Sequence, residues 1–308
     1  VNYPGGKNGA GVFQTIICLM PPHELYIEPF LGGGAIMRLK RPAAENIGLD
    51  RHAGVIAGFN EWRSRIVRPD DATRLLHGAP PEMARTAAPP VYVERRRKLH
   101  LVEPRRCRTP ELAMPDPKTD ESDLPPLAID SPAICGEGSS FTFWQYDGID
   151  YLSRNRRRLP PGALVYCDPP YMHETRGDDR MYKYEMTDVD HRRLLRCLRT
   201  LKCKVLVSGY WTPLYSAMLE GWNHRTFQTT NRSGARTEEH LWFNYPEPVE
   251  LHDYRYLGNG FRQRERINRK KKRWVERLRR QPLLERQALL GALQEVSSPA
   301  RNGERIQD

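Results

Sequence analysis

At 308 residues the chain is long enough to bury a full core, as one large domain or two smaller ones. Its 49 Lys+Arg against 38 Asp+Glu give a net charge of +11, which fits a polyanionic partner, and no apolar run approaches the length of a membrane span. The charge is uneven: fifteen Lys+Arg and six Asp+Glu fall between Tyr254 and Asp308, so the basic character belongs almost wholly to the tail.

Six cysteines (Cys18, Cys107, Cys135, Cys167, Cys197 and Cys203) form no C-x-x-C pair and have no zinc-ligand spacing with the nine histidines. Several lie in apolar segments, where Cys behaves as a small buried hydrophobe. A reduced, cytoplasmic setting with no structural metal is the expectation. The first residues do not read as a signal peptide, and the missing initiator Met suggests a processed or trimmed start.

Residues 3–11 read YPGGKNGAG, a glycine-rich entry to a helical run from Val12 to Met20. A Walker loop is rejected, because Asn8 follows Lys7 where Ser or Thr is required and no strand precedes it. A turn that presents the Lys7 ammonium to a carboxylate stays open. Next come the strand-like run Leu25 to Phe30, the glycine turn at Gly32-Gly33-Gly34, a helix through Leu39, and a second short strand at 46–49 ending in Asp50. This is the order of a nucleoside-binding βαβ unit: glycines admit a ligand close to the backbone, and an acid at the end of the second strand chelates ribose hydroxyls. The spacing is not G-x-G-x-x-G, and Pro29-Phe30 precede the glycines. That argues for a ligand without a pyrophosphate, such as S-adenosylmethionine.

From Trp62 to Ser140 the pattern changes. Twelve of the 26 prolines fall here, and the basic run Arg95-Arg96-Arg97-Lys98 follows the β-formers of 91–93. The segment reads either as a partly ordered linker or as an irregular recognition insert. Regularity returns with the aromatic strand 141–147 and a helix from Ile149 to Leu159. Leu164-Val165-Tyr166-Cys167 then reads as a buried strand that stops at Asp168-Pro169-Pro170-Tyr171. The prolines stiffen this turn and donate no N–H. An acid, a carbonyl and a ring on one rigid turn suit a planar base with an exocyclic amine. Asp168 and the Pro169 carbonyl can each accept one amino hydrogen while Tyr171 stacks on the base; the plainer reading is an ordinary Pro-Pro turn with an Asp cap. Cys167 points to the opposite strand face and reads as core.

After Tyr171, residues 173–184 form a polar loop, a lid candidate. A capping-box start at Thr187 and Asp190 opens a helix to about Leu201. A strand at 204–208, a helix at 213–219 and an antiparallel pair at 224–230 and 240–245 close a mixed sheet. In the tail, Ile267, Lys271, Trp274 and Leu278 share one face of a basic helix, and Pro282 starts a second helix. The basic helix either packs on the core through Trp274 or binds DNA, a membrane surface or a partner, with phosphate contact favoured by its charge density.

The pieces YPGGK (3–7), YIEPFLGGGA (26–35), Asp50, YCDPPY (166–171), VLVSGY (205–210) and EEHLWFNY (238–245) together resemble the Dam-type DNA adenine-N6 methyltransferases, particularly bacteriophage-encoded members. The resemblance covers nearly all of residues 1–250 except the insert. It implies an α/β fold: a Rossmann-like mixed-sheet methyltransferase core with an irregular target-recognition insert and a basic helical C-terminal extension. The divisions expected are a cofactor half at 1–61, the insert at 62–140, a catalytic half at 141–253 and the extension at 254–308. By the same resemblance, Tyr3 and Lys7 hold the methionine end of S-adenosylmethionine. Glu28, Phe30, Gly32 and Gly34 line its pocket, Asp50 takes the ribose, and Gln145 and Asp147 sit on its adenine side. Asp168, Pro169, Pro170 and Tyr171 hold the target adenine, with Asp168 also bordering the cofactor.

The expected partner is double-stranded DNA, with no membrane. The expected reaction is methyl transfer to N6 of an adenine flipped out of the duplex. Cytosine-N4 transfer uses the same chemistry, and transfer to a protein amide is similar. A non-catalytic DNA-binding module with a vestigial cofactor pocket is the alternative outside enzymes.

Overall fold

The computed structural model describes residues 6–66, 138–172, 184–230 and 236–297. Tyr3, nearly all of the proline-rich insert, the lid candidate up to residue 183 and the turn at 231–235 lie outside the described residues.

The strands are β1 (Leu25–Glu28), β2 (Glu45–Asp50), β3 (Ser140–Gln145), β4 (Leu164–Cys167), β5 (Lys204–Gly209), β6 (Asn223–Thr230) and β7 (Arg236–Phe243). Among the described residues they form one seven-stranded sheet in the order β3-β2-β1-β4-β5-β7-β6. The first five are parallel, and β7 pairs antiparallel with both β5 and β6. This is the Rossmann-like mixed sheet expected from the sequence.

Every residue of β1 and β4 is buried, as parallel strands covered on both faces require. The two-residue period divides their side chains between the faces. Ile27, Val165 and Cys167 pack with residues of α4 (Gly148–Asn155), α5 (Asp188–Thr200) and α6 (Pro213–Met218). Tyr26, Leu164 and Tyr166 pack with α1 (Val12–Ile17), α2 (Ala35–Leu39) and α3 (Ala53–Ile66). Cys167 is therefore core, as read from its position, and burial pushes its thiol far up.

Several helix starts follow the local chemistry. Thr187 and Asp190 cap α5 reciprocally, Thr187 Oγ1 accepting from the Asp190 N–H at 3.2 Å and Asp190 Oδ2 accepting from the Thr187 N–H at 2.9 Å. Thr212 caps α6 with Pro213 in its first turn. Several boundaries move inward: α1 ends at Ile17 ahead of Pro21-Pro22, β1 ends at Glu28 because Pro29 has no N–H to give the ladder, β3 ends at Gln145, and α4 ends at Asn155 rather than Leu159. One helix was not expected. Val55, Phe59, Trp62 and Ile66 of α3 pack against one core at helical spacing, a signal diluted by Gly54 and Gly58. Phe59 also explains one glycine. Gly34 has φ +52°, and a Cβ there would lie 2.1 Å from Phe59 Cζ.

The strand order reverses between β1 and β4. Ligands in open α/β sheets bind beyond the carboxyl ends at such a point. Here those ends carry Glu28 and Asp168. Because β7 runs antiparallel, its amino half reaches the same edge of the sheet.

Beyond the sheet, a short 3₁₀ turn (Tyr254–Tyr256) ties back to the body, with Tyr256 OH donating to the Leu39 carbonyl at 3.0 Å. The chain then enters α7 (Phe261–Arg279) and α8 (Leu283–Ser297). No residue of α7 is buried, and Trp274 keeps 49% of its surface exposed, so this face does not anchor in the core.

Candidate active site

The stiff turn after β4 brings Asp168 to the switch point, and neighbouring strands supply what surrounds it. Ser208 of β5 donates its hydroxyl to Asp168 Oδ1 at 2.9 Å, and Tyr166 shares a hydrogen bond of 2.9 Å with the same serine oxygen. Lys7, from the glycine-rich entry, places Nζ 2.8 Å from Asp168 Oδ1. It also lies 2.9 Å from Glu239 Oε1 and donates to the Tyr171 hydroxyl at 2.7 Å. Tyr171 in turn donates to Glu239 Oε2 at 3.2 Å. The three ammonium hydrogens thus have three protein acceptors. Lys7, expected at the methionine end of the cofactor, thus meets the carboxylate of the turn after β4, the arrangement that residues 3–11 had left open.

Two consequences follow for Asp168. Both side-chain bonds fall on Oδ1, which leaves Oδ2 to take a further donor. The cluster also carries one cation between two carboxylates. Burial alone would pull the Lys7 ammonium down, but Asp168 and then Glu239 outweigh it, and the group stays charged well above its ordinary value. Burial pushes Glu239 up, with Lys7 opposing.

Tyr171 stacks on Tyr210, ring centroids 4.2 Å apart and 18° from parallel. Pro169, Pro170, Tyr171, Ser208, Tyr210 and Thr212 help line a shallow cleft beside the turn. One face of Tyr171 is therefore already covered by an aromatic ring.

The glycine turn lies along the same edge. Asp50 Oδ2 accepts from the Gly32 N–H at 2.8 Å and Oδ1 from the His52 N–H at 2.7 Å. The acid fixes the turn while each oxygen keeps a lone pair. Gly32 has φ +46°, a conformation that favours glycine. Phe30 packs half-buried beside the core cluster. Asp147 caps α4, accepting from the Asp150 N–H at 2.8 Å, and takes Arg51 Nε at 2.6 Å. Gln145 is exposed and donates to the Arg51 carbonyl at 3.3 Å. The ends of β2 and β3 are thereby tied together through Arg51.

This donor set fits S-adenosylmethionine. Asp50 at the end of β2 can take ribose hydroxyls beside the glycine turn, where Arg38 donates to the Gly33 carbonyl at 2.7 Å. Among the described residues no group of His, Cys, Asp and Glu could hold a metal ion, and no helix is long and apolar enough to cross a membrane.

Glu28 is 2% exposed and accepts from Tyr26 OH at 3.0 Å. Burial, with the Asp168 charge adding and the Tyr26 bond opposing, pushes its carboxyl up to about 8. A raised carboxyl contributes stability that is complete below its unfolded value and is lost as pH rises through the folded one. Glu28→Gln keeps an acceptor for Tyr26 and removes this loss. It is expected to flatten the fall in stability between about pH 5 and pH 8, by up to a few kcal/mol, in denaturant titrations at successive pH values. Identical pH profiles would show that Glu28 ionises normally.

The sequence motifs foreshadowed Asp168, Tyr171, Lys7 and Asp50 but gave Glu239, Ser208 and Tyr210 no role. A signal for Glu239 was present: an acid standing immediately before the apolar run His240-Leu241-Trp242-Phe243, at the first buried position of β7.

No family profile matches the chain, and no curated protein matches it. Among solved structures it is similar to a SAM-dependent methyltransferase from Agrobacterium tumefaciens, at 10% identity and a TM-score of 0.33, covering 75% of this chain and 58% of that one. It is also similar to a release factor-specific protein-(glutamine-N5) methyltransferase from Alicyclobacillus acidocaldarius, at 16% identity and a TM-score of 0.22, covering 36% of this chain and 69% of the other. The chain thus spans a little over half the length of the first of these, 58%.

Proposed function

We propose that the protein transfers a methyl group from S-adenosylmethionine to the N6 amine of an adenine flipped out of double-stranded DNA. The observation that carries this reading is the Asp168-Pro169-Pro170-Tyr171 turn at the switch point, with Asp168 Oδ1 held by Lys7 and Ser208. Glu28, Phe30, Gly32, Gly34 and Asp50 are the residues that would hold the cofactor, with Gln145 and Asp147 beside them; when bound it supplies an electrophilic methyl on a sulfonium.

The adenine amine is a poor nucleophile because its lone pair is delocalised into the ring. Asp168 Oδ2 and the Pro169 carbonyl accept its two hydrogens and favour a pyramidal nitrogen whose lone pair points away from them. Tyr171 offers its ring to the base. Lys7 and Ser208 hold the carboxylate, so no reorganisation is needed as charge develops on nitrogen. Asp168 is placed to receive the proton that the methylated nitrogen sheds, and the cofactor's sulfur would leave as a neutral thioether. Unpairing the base costs a few kcal/mol, which contacts to the flanking duplex must offset.

The test is incubation of the protein with duplex DNA and methyl-labelled cofactor, followed by digestion to nucleosides. Label in N6-methyladenine is the expected result. Label in N4-methylcytosine would keep the mechanism and change the base, and unlabelled DNA would overturn the DNA substrate.

A further inference from the structure

Helix α7 is a cationic rod. Its 19 residues hold ten Lys+Arg and two Glu, and none is buried. At about 100° per residue, Arg262, Arg266, Arg269, Lys270, Arg273 and Arg277 fall within a single arc of about 100°, and no acid shares it. All six are exposed. Arg269 is partly compensated by Glu265 at 3.3 Å, and Arg277 lies over the Trp274 ring at 5.5 Å. The stripe runs about 22 Å along the helix at about 1.5 Å per residue.

Ordinary solvation of a surface helix predicts acids and bases interspersed around it, which this arc lacks. A lipid surface predicts a broad exposed apolar face flanked by the cations. Within α7, Ile267, Trp274 and Leu278 form a narrow apolar strip to one side with Ile267 and Leu278 half-buried, Phe261 and Val275 lie on another side, and the further exposed leucines belong to α8 rather than flanking the cationic arc. The shape and the charge match a phosphodiester backbone. From this we infer that α7 is a second DNA-contacting surface, separate from the base-binding cleft, which takes backbone phosphates without reading sequence. The inference rests on DNA being the substrate, and it supplies the duplex contacts that base flipping needs.

The test compares the full chain with a variant carrying Arg262→Gln, Arg266→Gln, Lys270→Gln, Arg273→Gln and Arg277→Gln. Gln is a good helix former, and the half-buried strip is untouched. Binding to an unmodified duplex of about 30 base pairs is measured between 50 and 200 mM salt. Each phosphate contact contributes about 0.9 to the slope of log K against log salt, so the five changes flatten that slope by up to about 4.5. Over this salt range the wild-type Kd then weakens up to roughly 500-fold more than the variant's. A charge-preserving variant with the four arginines changed to lysine is expected to keep the wild-type slope, which separates charge from fold.

An unchanged slope in the Gln variant overturns the inference. So does wild-type binding to phosphatidylserine vesicles without binding to DNA. The nucleoside assay runs on the same preparations. Methylated DNA with an unchanged slope sinks the stripe alone, and a flattened slope with no methylation sinks the catalytic reading alone. Neither binding nor methylation sinks both.

Discussion

Asp168→Ala is expected to lower methyl transfer by about a thousandfold or more while leaving the affinity for S-adenosylmethionine within a few-fold of wild type. The carboxylate orients the amine and meets the charge that develops on it, whereas the residues assigned to the cofactor lie mainly at the ends of β1 to β3. Asp168→Asn is expected to fare no better. Lys7 and Ser208 both donate to Oδ1, so the amide would turn its oxygen to them and present its NH₂ to the incoming amine, donor against donor. Single-turnover rates report the transfer step, and calorimetry reports the cofactor. A variant at either substitution that keeps full turnover would remove Asp168 from the mechanism.

The second large effect is at Lys7. Lys7→Met leaves Asp168 and Glu239 without their shared cation, and Glu239 is 2% exposed. Breaking a buried pair in this way costs about 3–5 kcal/mol, because the remaining charge has no partner and little water. Transfer is expected to fall at least about a hundredfold, since Asp168 and Tyr171 both lose a donor. The double variant Lys7→Met, Glu239→Gln removes the stranded charge. It is expected to recover most of the stability and little of the activity. Thermal or denaturant unfolding of the two singles and the double closes a mutant cycle. Additive losses in stability would mean that the two groups do not act as a unit.

The apolar runs of β1 and β4, the cap at Thr187 and the glycine turn were legible in the sequence because each is a local device. Asp168 was legible for the same reason, as an acid on a two-proline turn at the end of a buried strand. What the chain did not disclose is long-range. Lys7 and Tyr171 are 164 residues apart, and only the folded sheet shows that the lysine meets the catalytic turn. Glu239 reaches the same edge because β7 runs against β5, a direction that no local pattern encodes. The α3 helix was missed for a different reason: its apolar spacing is sound, but two glycines weaken its propensity, and packing against Phe141 and Phe143 compensates.

The most direct measurement is base-resolved modification sequencing of DNA from a methylation-deficient bacterium that expresses either the protein or its Asp168→Ala variant. The account predicts N6-methyladenine in a defined sequence context with the wild-type chain and none with the variant. Unmodified DNA from cells whose purified protein still binds S-adenosylmethionine would contradict it.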